Sequence, residues 1–200
     1  MFTGIIQAQG SIKEIRSSNM GAVFVLNSNS LDLSDVSIGD SISVNGVCLT
    51  VTQLDKNSFS ADVSQETLNC STFSILKKGQ NINLEKSLRL DQGVDGHIVS
   101  GHVDGVGKIT LIAIEGESTR MKIKVDDSLV KYIAKKGSIC INGVSLTVNE
   151  INGNIFGVNI VPHTFSVTTF YELKVNSQVN IEIDIIARHI ERLLNHKTSA

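Results

Sequence analysis

The chain repeats itself. Asn45-Gly46-Val47-Cys48-Leu49-Thr50-Val51 returns as Asn142-Gly143-Val144-Ser145-Leu146-Thr147-Val148, identical at six of seven positions and displaced by 97 residues. The same displacement carries Gly4 onto Gly101, Phe59 onto Phe156, Thr67 onto Thr164 and Thr72-Phe73 onto Thr169-Phe170. It also carries Asn83-Leu84-Glu85 onto Asn180-Ile181-Glu182. Asn-Gly turns recur in many β proteins, but they cannot explain the other matches. One ungapped offset joining so many anchors is the mark of a duplication. Each unit has an ordinary single-domain size. The chain therefore divides into residues 1–97, residues 98–184 and a tail, 185–200, that belongs to neither copy.

Within a unit the pattern is β. Ser41 to Val44 alternates polar and apolar, Asn45-Gly46 is the strongest two-residue hairpin signal, and Val47, Leu49 and Val51 alternate again. Phe59, Ala61 and Val63 share one face at period two, as do Phe156, Val158 and Ile160. Several short strands per unit predict an all-β chain of two small closed or sandwiched domains. In the tail, Ile186, Ile190, Leu193 and Leu194 form one apolar stripe at helical spacing. That helix docks on its own barrels or packs against copies of itself; the pattern allows either.

Composition removes several classes of function. With 18 basic against 20 acidic residues the net charge is −2, without the basic excess of a nucleic-acid binder. At 41% hydrophobic and 19% charged residues, wholesale disorder is excluded. The N-terminus MFTGIIQAQG does not read as a signal peptide, and no apolar run is long enough to span a bilayer. Three cysteines without a CxxC pair build neither a disulfide framework nor a zinc site, which points to a reducing cytoplasm. His97, His163, His189 and His196 show no metal-ligand spacing, and HExxH, Walker A, GxGxxG and GxSxG are absent.

Alternation decides which side chains are free for chemistry. If Val47, Leu49 and Val51 face the core, Cys48 and Thr50 face away, and so do Ser145 and Thr147 in the second copy. Ser60, Asp62 and Ser64 oppose Phe59, Ala61 and Val63 in the same way. A solvated sheet face would serve as well as a site, although such a face would be expected to carry more Lys, Glu and Arg. The mismatches between copies are sharper. Ile5 corresponds to His102, and Cys48 to Ser145, so the first copy supplies a thiol and the second an imidazole. His moves protons near neutral pH, and a Cys of lowered pKa is a nucleophile. Two similar pockets with unlike reactive groups suit two similar ligands handled in different roles.

MFTGII at the N-terminus, NGVCLTV, SGHVDGVG and NGVSLTV occur in the order found in the riboflavin synthase family, and the chain resembles that duplicated lumazine-binding family over essentially its whole length. The resemblance implies two similar six-stranded Greek-key β-barrels in tandem, a C-terminal α-helix and a homotrimer assembled through those helices. It implies dismutation of two 6,7-dimethyl-8-ribityllumazine molecules to riboflavin and 5-amino-6-ribitylamino-uracil, with no metal and no external cofactor. The active site would lie between the N-terminal barrel of one subunit and the C-terminal barrel of its neighbour, which matches the division of Cys48 and His102. Nucleic acid and membrane have no part in it, and an association with lumazine synthase is left open.

Carried over residue by residue, the resemblance gives the first barrel Gly4, Ile5 and Ile6, then Cys48, Leu49 and Thr50. To these it adds Asp62, Val63, Ser64, Gln65, Glu66 and Thr67. The second barrel receives Gly101, His102 and Val103, then Ser145, Leu146 and Thr147, and finally Asn159, Ile160, Val161, Pro162, His163 and Thr164. Lys136 matches a lysine reaching a ligand across the subunit boundary, and Phe2 is placed over the pocket. His102 is the candidate for proton transfer at the acidic C7 methyl. Cys48, Ser41 and Thr147 are candidates for positioning or activating the other partner, and Asp184 matches a carboxylate at the end of the second barrel. Many members carry Asp where this chain has Asn142, so Asn142 takes no acid–base role. The alternative is a non-catalytic lumazine or flavin carrier, whose second site would be degraded; here His102, Ser145 and Thr147 are intact. A barrel serving only protein interactions would have no reason for the unlike Cys and His.

Overall fold

The computed structural model describes residues 1–18 and 21–197. Two closed antiparallel barrels account for nearly all of it. The first contains β1 (Ala8–Ser18), β2 (Gly21–Asn27), β3 (Ser41–Val44), β4 (Val47–Asp55), β5 (Ser58–Ser64) and β6 (Asn81–Lys86), hydrogen-bonded in the order β1-β2-β5-β4-β3-β6 and back to β1. The helix α1 (Gln65–Cys70) and a 3-10 turn at Thr72–Ile75 bridge β5 and β6. The second contains β7 (Gly105–Glu115), β8 (Ser118–Lys124), β9 (Ser138–Ile141), β10 (Val144–Asn152), β11 (Ile155–Ile160) and β12 (Gln178–Ile183), in the equivalent order. Here α2 (Asp127–Val130) precedes β9, and α3 (Pro162–Val167) stands where α1 does in the first barrel. Closure leaves no free sheet edge, which removes the usual aggregation hazard of short strands.

The expected alternation fills each barrel. Val47, Leu49, Val51, Phe59, Ala61 and Val63 are buried in the first core, and Val144, Val148, Phe156, Val158 and Ile160 in the second. Even the irregularities are duplicated. A register shift between Ile12 and Glu14 recurs between Ile109 and Leu111, and one between Val51 and Gln53 recurs between Val148 and Glu150. Ser60 departs from the expected exposed face. It is buried, its Oγ donating to Gln53 Oε1 at 3.4 Å across that shift.

The barrels join where the two Asn-Gly turns meet. Asn45 and Asn142 have φ of 47° and 46°, and the following glycines 81° and 83°, the left-handed pair that a tight hairpin turn demands. The turns touch: a Cβ on Gly46 would stand 2.7 Å from the Gly143 nitrogen. Around them Asn83 and Asn180 exchange bonds. Asn83 Nδ2 donates to the Asn142 carbonyl at 2.9 Å and accepts at Oδ1 from Thr169 N–H at 2.8 Å. Asn180 Nδ2 donates to the Asn45 carbonyl at 2.8 Å and accepts from Thr72 N–H at 2.7 Å. All four asparagines are buried. Asn142 therefore belongs to the joint between barrels, where its Oδ1 accepts from Asn180 N–H at 2.7 Å.

The helix α4 (Ile185–Lys197) begins at Asp184, whose Oδ1 accepts from Ile186 N–H at 2.9 Å. Its polar side holds the second barrel through Arg188 on Asp104 and through Glu191 on Lys131 and Tyr132. The apolar stripe of Ile186, Ile190, Leu193 and Leu194 points away and is exposed. The last three residues of the expected tail lie outside the described residues. No described helix is long and apolar enough to cross a membrane.

Candidate active site

Each barrel is entered by an arm that lies on the other barrel. The arm at residues 1–7 leads into β1, yet the Gly4 carbonyl accepts from Ser145 N–H at 2.8 Å. The arm at residues 97–104 leads into β7, yet the Gly101 carbonyl accepts from Cys48 N–H at 2.8 Å. Between them Phe2 and Val99 exchange two backbone bonds of 2.7 and 3.0 Å. The approach is close enough to require glycine. A Cβ on Gly101 would stand 2.5 Å from Cys48 Cβ, one on Gly4 would stand 2.6 Å from Ser145 Cβ, and both residues have positive φ.

A carboxylate from the last strand of the arm's own barrel fixes each arm. Glu182 Oε1 accepts from the N–H and the hydroxyl of Ser100, both at 2.6 Å, and Oε2 accepts from Gly101 N–H at 3.0 Å. Glu85 makes the same set with Thr3 N–H, Thr3 hydroxyl and Gly4 N–H at 2.7, 2.8 and 3.0 Å. Burial pushes both carboxyls above the usual range, against the pull of these donors.

The consequence is an exchange of partners. Gly101, His102 and Val103 complete a cleft of the first barrel with Val47, Cys48, Glu66, Thr67, Cys70 and Ser71. Val103 packs on the first core, and Ile6 on the second. The sequence grouping placed Gly4, Ile5 and Ile6 with Cys48 and placed His102 with Ser145; the crossed arms reverse it. Cys48 and His102 therefore line one cleft of one chain. This cleft has a volume of about 190 Å³.

Two groups beside these residues, Cys70 and His97, are not among the sequence candidates. Cys70 donates its Sγ–H to Glu66 Oε1 at 3.1 Å, and that bond pushes the thiol up. Cys70 carries no motif, and only the helical spacing of α1 brings it beside Glu66. The second is His97, whose Nδ1 lies 2.6 Å from Ser145 Oγ. Residue 97 has no partner at the repeat offset, so comparing the copies could not reveal it. The second barrel thus has its own imidazole, and the thiol stands with the other one.

The His97 Nε2 is the one sealed side-chain polar atom without a partner among the described residues. Burial holds its pKa below 6.5, and the charge of Asp184 opposes that shift. With the folded value depressed, the unfolded chain binds the proton first as pH falls. The contribution of His97 to stability is therefore full above 6.5 and is lost as pH drops through the lowered value. In urea denaturation between pH 7.5 and 5.5, His97→Gln is expected to flatten that part of the pH dependence. An unchanged slope would show that this imidazole is not responsible.

The remaining candidates are dispersed. Ser41 opposes Thr50 at the start of β3, and Thr147 opposes Ser138; Thr50 and Thr147 are exposed. Leu49 is core, and Leu146 packs against the second core. Ser64 caps α1 by accepting from Thr67 N–H at 3.1 Å, with Asp62 exposed on the same strand face and Val63 in the core. Gln65 bonds to Asn69, away from the cleft. In the second barrel Asn159 donates to Glu115 at 2.9 Å, Ile160 is core, and Pro162, His163 and Thr164 lie on α3 at the places that Gln65, Glu66 and Thr67 hold on α1. Lys136 is exposed with φ of 70° just before β9. Phe2 is fully buried between the arms, with Val99, Cys140 and Cys48. Among the described residues there is no His, Cys, Asp or Glu grouping able to hold a metal ion.

The lumazine binding domain matches the chain twice, over residues 3–87 and 100–184. A riboflavin synthase of Photobacterium phosphoreum is 48% identical over 194 residues, covering 97% of this chain and 89% of that one. The riboflavin synthase of Bacillus subtilis (strain 168) is 40% identical over 199 residues, covering 100% and 92%. Among solved structures, LumP complexed with riboflavin superimposes with a TM-score of 0.84 at 30% identity, covering 92% of this chain and 99% of that one. LumP complexed with 6,7-dimethyl-8-(1'-D-ribityl) lumazine gives 0.82 at 27% identity, covering 91% and 98%.

Proposed function

Because this chain belongs to the lumazine binding domain family and carries that domain twice, we propose that it is a riboflavin synthase. It takes two molecules of 6,7-dimethyl-8-ribityllumazine and passes a four-carbon unit from one to the other. The products are riboflavin and 5-amino-6-ribitylamino-uracil, and atoms and electrons balance between the two substrates without an oxidant. The single observation that carries this reading is the pair of crossed arms, which make like backbone bonds, Cys48 N–H to the Gly101 carbonyl and Ser145 N–H to the Gly4 carbonyl, beside unlike reactive groups. A dismutation needs two near-identical ligands in different roles.

In this mechanism His102 takes the proton from the C7 methyl of the ligand in the first cleft. Cys48, in the same cleft, positions that ligand so that its carbanion faces the ligand on the second barrel. Ser145 with His97 serves the second ligand, and Ser41, Thr147 and Asp184 support from the margins. Holding two substrates in register supplies much of the acceleration, since effective molarities for aligned partners reach about 10⁵ M or more.

The Cys48–His102 cleft, at about 190 Å³, is smaller than the several hundred Å³ usual for an enclosed ligand site, which supports a complete site between this cleft in one subunit and the Ser145 side of the second barrel in another. The exposed stripe on α4 supports assembly as a homotrimer, with Lys136 reaching across the boundary. The unpaired cysteines support a cytoplasmic setting. Removing residues 185–200 is expected to give monomers in sedimentation velocity; a persistent trimer would exclude assembly through α4.

The crossed arms fix which inactive variants can rescue each other. Mixing Cys48→Ala with Ser145→Ala, with subunit exchange confirmed by mass, is expected to restore part of the activity, because one interface joins two intact clefts. Mixing Cys48→Ala with His102→Ala restores none, since every chain then has a damaged first cleft. Rescue by the second pair would overturn the shared first cleft. The reaction itself is tested by incubating the protein with 6,7-dimethyl-8-ribityllumazine alone. One riboflavin for every two lumazines consumed establishes the dismutation, and tight binding without riboflavin would make the protein a carrier.

A further inference from the structure

The repeat anchors Asn83-Leu84-Glu85 and Asn180-Ile181-Glu182 lie on β6 and β12 and belong to none of the segments assigned to ligand contact. Their asparagines join the barrels, but their glutamates do something else. A buried carboxylate is costly unless its oxygens are filled, and each of these receives three donors, all from an arm. What the bonds fix is the path of each arm just before the residue that reaches a cleft. Gly101 is followed by His102, and Gly4 by Ile5.

We infer that Glu182 and Glu85 are positioning residues for the reaction: each sets the arm by which its own barrel completes the cleft of the other. Glu182 thereby places His102 in the cleft that Cys48 lines, and Glu85 places the Gly4 carbonyl on Ser145 N–H. The two clamps are structurally equivalent and chemically unequal. Glu182 governs the arm with the imidazole, and Glu85 governs an arm that offers only Ile5. The inference rests on the riboflavin synthase reading given above.

Glu182→Gln is close to isosteric, yet it turns one acceptor oxygen into an NH₂ facing the arm's N–H donors. In steady-state riboflavin formation it is expected to lower kcat by about tenfold to a hundredfold, the scale of a displacement near 1 Å, with KM changed much less. Ser100→Ala removes the hydroxyl's bond to Glu182 and the 3.4 Å bond it accepts from His102 N–H, leaves both N–H bonds to Glu182, and is expected to give a smaller loss of the same kind, in a chain of nearly unaltered melting temperature. The deciding readout is a pair of double-mutant comparisons with His102→Gln. Glu182→Gln should add little once His102 is gone, whereas Glu85→Gln should multiply with His102→Gln, because it acts on the other cleft.

Full multiplication of Glu182→Gln with His102→Gln would overturn the inference, since a clamp that only stabilises the fold would behave in that way. Unchanged kcat in both Glu182→Gln and Ser100→Ala would overturn it as well. Failure of the unmutated chain to form riboflavin would refute the functional reading instead, and wild-type turnover measured in parallel separates the two failures.

Discussion

Gly101→Ala is expected to lower riboflavin formation by at least about a hundredfold while both barrels stay folded. The added Cβ would stand 2.5 Å from Cys48 Cβ, and 2.9 Å from both the Cys48 nitrogen and Phe2 Cε2. None of these neighbours can yield cheaply. Cys48 is tied into β4, whose register with β3 is fixed, and Phe2 is fully buried. The positive φ of Gly101 adds strain for any side chain. The arm must therefore back away, breaking its bond to Cys48 and taking His102 with it. Gly105→Ala is the matched control. It lies four residues further along the same chain, and its Cβ would meet only Leu129 Cδ1 at 3.5 Å, an ordinary contact. Turnover of both variants, compared after circular dichroism has confirmed the β signal, decides the matter. Near-wild-type turnover in Gly101→Ala would mean that the contact between arm and Cys48 has no catalytic weight.

Much of the architecture is legible in the sequence because duplication and alternation are both one-dimensional signals. The offset of 97 aligns not only the motifs but also the register shifts in β1, β4, β7 and β10. The two cores follow from period-two patterns that need no tertiary knowledge. What stayed hidden was relational. Nothing in the letters around Gly4 or Gly101 says that an arm entering one barrel rests on the other, so His102 was grouped with Ser145 and not with Cys48. The helix α1 buries none of its residues and so leaves no apolar periodicity, which is why Cys70 went unnoticed beside Glu66. His97 stands outside the repeat comparison altogether. The asparagines and glutamates of β6 and β12 were visible as matches, but a buried polar residue reveals its task only when its partners are known.

Asn180→Ala is expected to destabilise the chain by about 2–6 kcal/mol, since it strands the Asn45 carbonyl and the Thr72 N–H, each a buried group costing about 1–3 kcal/mol when unpaired. Asn83→Ala should cost a similar amount, because it strands the Asn142 carbonyl and the Thr169 N–H in the same way. Urea denaturation followed by fluorescence or circular dichroism gives both numbers. Asn152→Ala, on an exposed strand end, should stay within about 0.5 kcal/mol. Asn142→Asp keeps the oxygen that Asn180 N–H requires and should be far milder than either deletion. The reciprocity makes the test exacting. Each barrel's last strand supplies the side chain that satisfies the other barrel's Asn-Gly turn and its 3-10 helix, Thr72–Ile75 in the first barrel and Thr169–Glu172 in the second, so the two deletions act on one joint from opposite sides. Unequal losses, or losses no greater than the Asn152 control, would show that the barrels are held by the Gly46–Gly143 contact and the arms alone. Equal losses would place the asparagines beside the glutamates as the two halves of one device, with Asn joining the barrels and Glu directing the arms across that joint.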